Sequence, residues 1–236
     1  RKVVSKKIIV ALDFESKTHA LDFIDRIDPD LCRLKIGKEL FVASGPQLVT
    51  DLVGRGFDIF LDLKFHDIPN TVARAVSQAA DLGIWMLNVH ASGGLLMLEA
   101  AQQALEPFGG DRPILIAVTV LTSLGEDDLK QLGISFSPAG QVKRLALLAR
   151  DARLDGIVCS AAETKLLRHS LPKNFIIVTP GIRRPEDASN DQKRVIGPSE
   201  AIRNGSNYLV VGRPITRAKN PNEMLKEFNS AAANTG

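Results

Sequence analysis

Three charged side chains interrupt an apolar stretch near residue 60. The segment reads LDLKFHDIPNT over residues 61–71 and carries Asp62, Lys64 and Asp67 within six positions. Burying a charge without a partner is unfavourable by several kcal/mol, so a run that begins like a buried strand needs a reason to contain three. These side chains form either a structural ion-pair cluster or a reaction centre.

Two further charged residues lie in apolar runs that come earlier in the chain. Side chains alternate along a strand, so Asp62 and Lys64 share one face while Leu61 and Leu63 take the other, which suits a helix layer. Asp13 ends the run KIIVALD, and Lys35 lies in the run LCRLKIG. If these runs are neighbouring strands of one barrel, the charges converge at one mouth. Asp67 lies off the strand, where by itself it reads as an acidic residue at a helix start.

A candidate anion site lies much later in the chain. The segments GIRRP and VVGRPIT place Arg183, Arg184 and Arg213 beside glycines. Gly212 allows close approach of the backbone, and Arg213 can bind a phosphate with two parallel hydrogen bonds. A solvated basic rim is the alternative interpretation.

The elements that must position these residues follow a repeating pattern. Eight apolar, β-branched runs span 7–13, 31–37, 57–64, 84–90, 113–119, 156–160, 175–180 and 207–212. Near-continuous hydrophobic runs are typical of parallel strands, and helical patterns lie between them, for example at 71–83 and 137–152. Eight strand–helix units over 236 residues predict an α/β fold, a TIM (β/α)8 barrel, with residues 1–236 forming one domain. An open doubly wound sheet is the alternative.

Two loops are longer than such a barrel requires, at 120–137 and 181–198. We predict that they contain little secondary structure and lie at the C-terminal face, where barrel enzymes carry their chemistry.

Composition excludes several other classes of protein. The net charge is +3 and the basic residues are scattered, so nucleic-acid binding is not indicated, and no apolar run is long enough to span a membrane.

No signal peptide is visible. Cys32 and Cys159 lie in apolar runs and are expected to be free and buried, which suits a cytoplasmic location. His66 and His90 read as packing or hydrogen-bonding residues, since no set of residues has metal-ligand spacing. Trp85 and Tyr208 read as core.

These motifs resemble the bacterial orotidine 5′-monophosphate decarboxylase family. The resemblance rests on Asp-x-Lys-x-x-Asp followed by Ile-Pro-Asn-Thr, together with VALD, LKIG, NVHASGG, VTVLTS, TPGIR, a later DQ and VGRPIT, all in order along the chain. It implies a TIM barrel that converts orotidine 5′-monophosphate to UMP and CO₂, the last step of de novo pyrimidine synthesis. It also implies that no metal or organic cofactor is used.

The resemblance implies a role for each matching residue. Lys64 would protonate C6, Asp62 would lie near the leaving carboxylate, and Lys35 and Asp13 would hold the ribose and position the other charges. Thr122 would close over the pyrimidine. The phosphate would be held by Gln192 and Arg213, with Gly212, Pro180 and Arg183 nearby, although Arg183 and Arg184 compete for one role. In a homodimer with shared active sites, the residues that enter the site of the other subunit would be Asp67, Ile68 and Thr71.

Other readings of the same motifs remain. Mg²⁺-dependent sugar-phosphate decarboxylases and synthases of the same superfamily share Asp-x-Lys-x-x-Asp. A Schiff-base aldolase would use Lys64 as its nucleophile. A non-catalytic nucleotide-binding barrel would keep the phosphate residues without turnover.

Overall fold

A computed structural model describes residues 6–187 and 196–233. Eight parallel strands close into one barrel in chain order, with β8 pairing with β1. The strands are β1 (Ile8–Ala11), β2 (Arg33–Gly37), β3 (Ile59–Phe65), β4 (Met86–His90), β5 (Ile114–Val118), β6 (Gly156–Val158), β7 (Ile176–Thr179) and β8 (Tyr208–Val211). The predicted TIM barrel is therefore confirmed, and the open sheet is excluded. Each strand lies inside its predicted run, except that β3 extends one residue further, to Phe65.

Helices cover the outside of the barrel. They are α1 (Lys17–Ile24), α2 (Lys38–Gly54), α3 (Pro69–Ala80), α4 (Leu95–Gln103), α5 (Glu126–Gln131), α6 (Pro138–Asp151), α7 (Ala161–Arg168), α8 (Pro198–Arg203), α9 (Arg213–Thr216) and α10 (Pro221–Ala233). Helix α2 is broken at Gly45, whose φ of 68° is left-handed, and Pro46 then starts its second segment. Short 3₁₀ turns occur at Ala91–Gly93, Glu106–Asp111 and Pro185–Asp187.

The apolar residues form two layers, as strand alternation requires. Leu34, Leu61 and Leu87 belong to the layer between sheet and helices. Phe60 and Met86 belong to the smaller layer inside the barrel. Because these side chains fill the lower part of the barrel interior, a cavity inside the barrel is expected at the upper ends of the strands.

The lower end of the barrel is closed by a basic side chain stacked on aromatic rings. The Arg33 guanidinium lies 4.2 Å from the centroid of Trp85 and 5.2 Å from that of Tyr208. Trp85 and Tyr208, which were predicted to be core residues, are only partly buried, because they cap this end of the barrel.

The prediction that segment 120–137 contains little secondary structure was wrong. Helix α5 lies within it and begins with Glu126, Asp127 and Asp128, where negative charge suits the helix dipole. Asp128 Oδ2 also accepts a hydrogen bond of 2.8 Å from the Gly125 N–H. The helix spans fewer than two turns, which is too short to produce a visible apolar period. In the described part of 181–198, a 3₁₀ turn precedes the start of α8 at Pro198.

Candidate active site

The C-terminal ends of the strands surround a cavity of about 480 Å³. Every strand contributes to its wall, through Ala11, Lys35, Asp62, Asn88, Val118, Val158, Val178 and Val210. The wall formed by β5 to β8 is apolar at these positions, whereas the wall formed by β2 to β4 carries charges and an amide. The cavity therefore has one polar side where charged chemistry can occur and one side suited to a flat apolar group.

Four charged side chains form a row on the polar side. Lys35 Nζ lies 3.8 Å from Asp13 Oδ1 and 3.1 Å from Asp62 Oδ2. Lys64 Nζ donates a hydrogen bond of 2.7 Å to Asp62 Oδ1. The four side chains that strand phase assigned to one mouth thus lie in contact, with alternating signs.

Asp62 is the most buried member of the row, with 8% of the residue exposed. Burial alone would raise the pKa of its carboxyl group. The Lys35 charge and the hydrogen bonds from Lys64 and Asn88 outweigh burial, so the pKa of Asp62 lies below its ordinary value. The carboxylate is consequently ionised at neutral pH and anchors both ammonium groups.

Strand β3 becomes irregular where it carries this row. Phe60 and Leu61 pair with Met86 and Leu87, but the next pair is Phe65 with Val89. Residues 62–64 therefore stand opposite Asn88 alone, and Lys64 adopts a left-handed φ of 52°. Simple alternation correctly predicted that Asp62 and Lys64 meet, but the backbone that joins them is bulged. A left-handed conformation is unfavourable for a residue with a side chain, so surrounding contacts must hold it.

Asn88 supplies those contacts, and it was not among the predicted site residues. Its Nδ2 donates to Asp62 Oδ1 at 2.7 Å, and its Oδ1 accepts from the Lys64 backbone N–H at 2.9 Å. Only 1% of Asn88 is exposed. The available signal was an amide inside the apolar run MLNVH, because a buried amide requires hydrogen-bonding partners.

The other predicted cavity residues come from the loops after β5, β7 and β8. Thr122, Pro180, Arg183, Gly212 and Arg213 all line the cavity. Two arginines and a glycine at one end provide positive charge and an accessible backbone, which suits an anionic group such as a phosphate. Gln192 lies outside the described residues.

Arg184 does not belong to this lining. Its Nε donates to Asp187 Oδ2 at 2.8 Å, and its Nη1 donates to Glu227 Oε2 at 2.6 Å. Arg184 thus ties the loop after β7 to α10, and Arg183 is the arginine on the cavity side.

Three predicted site residues do not line the cavity of their own chain. Asp67, Ile68 and Thr71 are exposed around the start of α3. Asp67 Oδ1 accepts a hydrogen bond of 2.7 Å from the Ile68 N–H, which stabilises the turn into the helix. The carboxylate otherwise faces solvent, and 67% of Ile68 is exposed.

The two histidines lie at the rim and stack on each other, with ring centroids 5.4 Å apart. Burial lowers the pKa of His90, and the neighbouring basic side chains of His66, Lys38 and Lys64 lower it further. His90 is therefore neutral at physiological pH, in keeping with the packing role expected from the sequence.

Cys32 and Cys159 are free and buried, as expected. Burial raises the pKa of each thiol to about 12, so neither is a thiolate at neutral pH. Within 6–187 and 196–233, no group of three or more His, Cys, Asp or Glu residues is arranged to hold a metal ion. No helix in the described ranges has both the length and the apolar character needed to cross a membrane.

Comparison with known proteins assigns the chain to a family. The sequence pattern of the orotidine 5′-phosphate decarboxylase / HUMPS family matches residues 6–228. The chain is 58% identical to the orotidine 5′-phosphate decarboxylase of Actinobacillus succinogenes over 231 residues, which cover 98% of this chain and 100% of that protein. It is also 58% identical to the Haemophilus influenzae protein of the same name over 226 residues, covering 96% and 98%.

A solved structure agrees with these relatives. The orotidine 5′-phosphate decarboxylase of Lactobacillus acidophilus superposes with a TM-score of 0.87 at 36% identity, covering 96% of this chain and 99% of that one.

Proposed function

We propose, because the chain belongs to the orotidine 5′-phosphate decarboxylase / HUMPS family, that it converts orotidine 5′-phosphate to UMP and CO₂. The reaction would be the last step of de novo pyrimidine synthesis, in the cytoplasm. The observation that carries the proposal is the row Asp13, Lys35, Asp62 and Lys64, which faces the same cavity as Arg183 and Arg213. A phosphate ester with a charged reacting centre would use both groups of residues.

Lys64 is the proton donor in this proposal. Loss of CO₂ leaves a carbanion at C6 that the π system of the ring absorbs poorly. An ammonium group beside C6 stabilises that charge and then delivers a proton. The contact of 2.7 Å between Lys64 Nζ and Asp62 Oδ1 supports this role, because it fixes the ammonium at the cavity wall.

Asp62 would lie close to the substrate carboxylate. Two unit charges at about 4 Å repel by roughly 4 kcal/mol at an effective dielectric constant of about 20. The largest enzymatic accelerations correspond to about 23 kcal/mol, so repulsion would supply only a fraction. Asp62 would contribute more by holding Lys35 and Lys64, both of which it contacts.

Binding energy from the phosphate would assist the chemistry. Arg213, Gly212 and Gln192 would hold the phosphate, with Arg183 and Pro180 beside it, while Thr122 would close over the pyrimidine. Lys35 and Asp13 would hold the ribose. Loop closure over a gripped phosphate excludes water and completes the site, so distant contacts would raise turnover as well as affinity.

A homodimer with shared sites would explain the three exposed residues. Asp67, Ile68 and Thr71 would enter the cavity of the other subunit. An exposed Ile68, together with Leu95 and Leu96 at the start of α4, which packs on α3, supports an interface at this edge. Neither a nucleic acid nor a membrane is a proposed partner.

The decisive assay is the loss of orotidine 5′-phosphate absorbance on adding purified protein in EDTA, with UMP identified as product. The family name also covers a second group, and Mg²⁺-dependent sugar-phosphate chemistry is the second candidate. Turnover that continues in EDTA supports the proposal. If the protein instead turns over a sugar phosphate, loses that activity in EDTA and does not consume orotidine 5′-phosphate, the sugar-phosphate function replaces the proposed one. A chain with no turnover of either substrate would be a binding protein.

A further inference from the structure

We propose that Asn88 is a positioning residue for Lys64 and Asp62. The inference rests on the proposed function, because it concerns how the row of charges is held for that reaction. The Asn88 side chain makes one hydrogen bond to each of these two residues, and the two bonds use the donor and the acceptor of the same amide.

The first bond compensates for the irregularity in β3. The bulge removes the Lys64 N–H from the regular pairing between β3 and β4, and the Asn88 side chain accepts that N–H instead. A buried N–H without an acceptor is unfavourable, and so is the left-handed φ of Lys64. Asn88 therefore stabilises the backbone conformation from which the Lys64 side chain reaches Asp62.

The second bond fixes the carboxylate. Asp62 Oδ1 accepts from both Lys64 Nζ and Asn88 Nδ2, each at 2.7 Å, while Oδ2 faces Lys35. A single amide thus sets the orientation of the carboxylate and the position of the lysine. An amide carries a neutral donor and a neutral acceptor at every pH, whereas a carboxyl group of the same size carries both only when it is protonated.

Asn88→Asp is the informative substitution because its effect should depend on pH. When the new carboxyl group is protonated, it offers an O–H donor to Asp62 and a carbonyl acceptor to Lys64, as the amide does. When it is ionised, it loses the donor and repels Asp62. Two carboxyl groups in contact share a proton, which raises the pKa at which the pair loses it.

Other charges around Asn88 are shared by the variant and the wild type. Next to Asn88 on the barrel wall, β5 presents the apolar Ile116, which is its pairing partner. The titratable residues that the amide contacts are Asp62 and Lys64, and Lys35 and Asp13 continue the row. His90 follows Asn88 on β4 and is surrounded by His66 and Lys38. The measurement is therefore the ratio of variant to wild-type kcat at each pH, in which the titration of the groups other than Asp62 cancels to first order.

We expect kcat of Asn88→Asp to be reduced by about tenfold to a hundredfold at pH 8 and to approach the wild-type value as the pH is lowered, with KM within about threefold throughout. Asn88→Ala should lose activity to a similar extent with no recovery at low pH. The control is Asn174→Asp, the same change at an exposed residue before β7, at the opposite end of the barrel. It should match the wild type. A ratio for Asn88→Asp that does not vary with pH would overturn the proposal.

A second measurement does not require turnover. Hydrogen exchange of the Lys64 amide should be faster in Asn88→Ala than in the wild type, and should stay slow in Asn88→Asp, which keeps the acceptor. Equal exchange in the wild type and Asn88→Ala would also overturn the proposal. Failure of the proposed function would instead appear as a wild type that does not consume orotidine 5′-phosphate, with the exchange result still decisive for Asn88.

Discussion

Asp62→Asn removes the central negative charge of the row while keeping the shape of the side chain. The carboxylate contacts Lys64 at 2.7 Å and Lys35 at 3.1 Å. At an effective dielectric constant of about 20, each contact corresponds to roughly 5–6 kcal/mol of gross attraction. Most of this offsets desolvation, and removing one partner of a buried pair lowers stability by about 3–5 kcal/mol. The Lys35 and Lys64 side chains are 13% and 27% exposed, so we expect a loss near the lower limit, about 3 kcal/mol.

The pH dependence follows from the lowered pKa of Asp62. Because the folded pKa lies below the unfolded value of about 3.9, the contribution of the carboxylate is fully present above about pH 4. It is lost as the pH falls through the folded pKa. The difference in stability between wild type and Asp62→Asn should therefore be constant from pH 7 to about pH 5 and should shrink below pH 4.

The assay is denaturant unfolding at one fixed protein concentration, at pH 7, 5 and 3.5, with kcat measured at pH 7. Asp30→Asn, at an exposed position before β2, is the matched control and should change stability by less than about 0.5 kcal/mol. A stability of Asp62→Asn within about 1 kcal/mol of the wild type at pH 7 would refute the claim that Asp62 anchors the two ammonium groups.

Two further predictions concern the phosphate end and the shared site. Arg213→Ala should weaken binding of orotidine 5′-phosphate by about a hundredfold. Binding of unphosphorylated orotidine should be nearly unaffected, because that ligand has no phosphate for Arg213 to hold. Equal losses for both ligands would exclude Arg213 from the phosphate site. Mixing Lys64→Ala chains with Asp67→Ala chains, each nearly inactive alone, should restore activity to roughly a quarter of all sites, because about half of the dimers are mixed and each has one intact site. Subunit exchange would be verified by mass. A mixture no more active than its parents would then show that Asp67 serves only the turn in its own chain.

The sequence predicted the fold and much of the cavity because both follow from short-range patterns. Runs of β-branched residues fix the strands, and strand phase brought Asp13, Lys35, Asp62 and Lys64 to one mouth. The alternation of side chains along β3 could not predict the bulge at Lys64. The bulge depends on a side chain of β4 that accepts the N–H left without a backbone partner. Asn88 was missed for a related reason: its place in an apolar run signals a buried amide, but its two partners lie across the sheet, and the neighbouring residues do not identify them.

The choice between Arg183 and Arg184 also needed three dimensions. Both follow Gly181 and Ile182 in a segment with no strand or helix to set the phase of their side chains. The distinction comes from Asp187 and Glu227, which hold Arg184 away from the cavity, and Glu227 lies on a helix more than forty residues later.

The central claim is that Lys64 protonates C6 of a decarboxylating orotidine 5′-phosphate in this cavity, and the turnover of Lys64→Ala tests it most directly. The variant should keep the fold and should bind UMP through the phosphate contacts, while kcat should fall by several orders of magnitude, because no other ammonium occupies the same place in the row. A Lys64→Ala protein that retains a tenth of the wild-type kcat would contradict the claim.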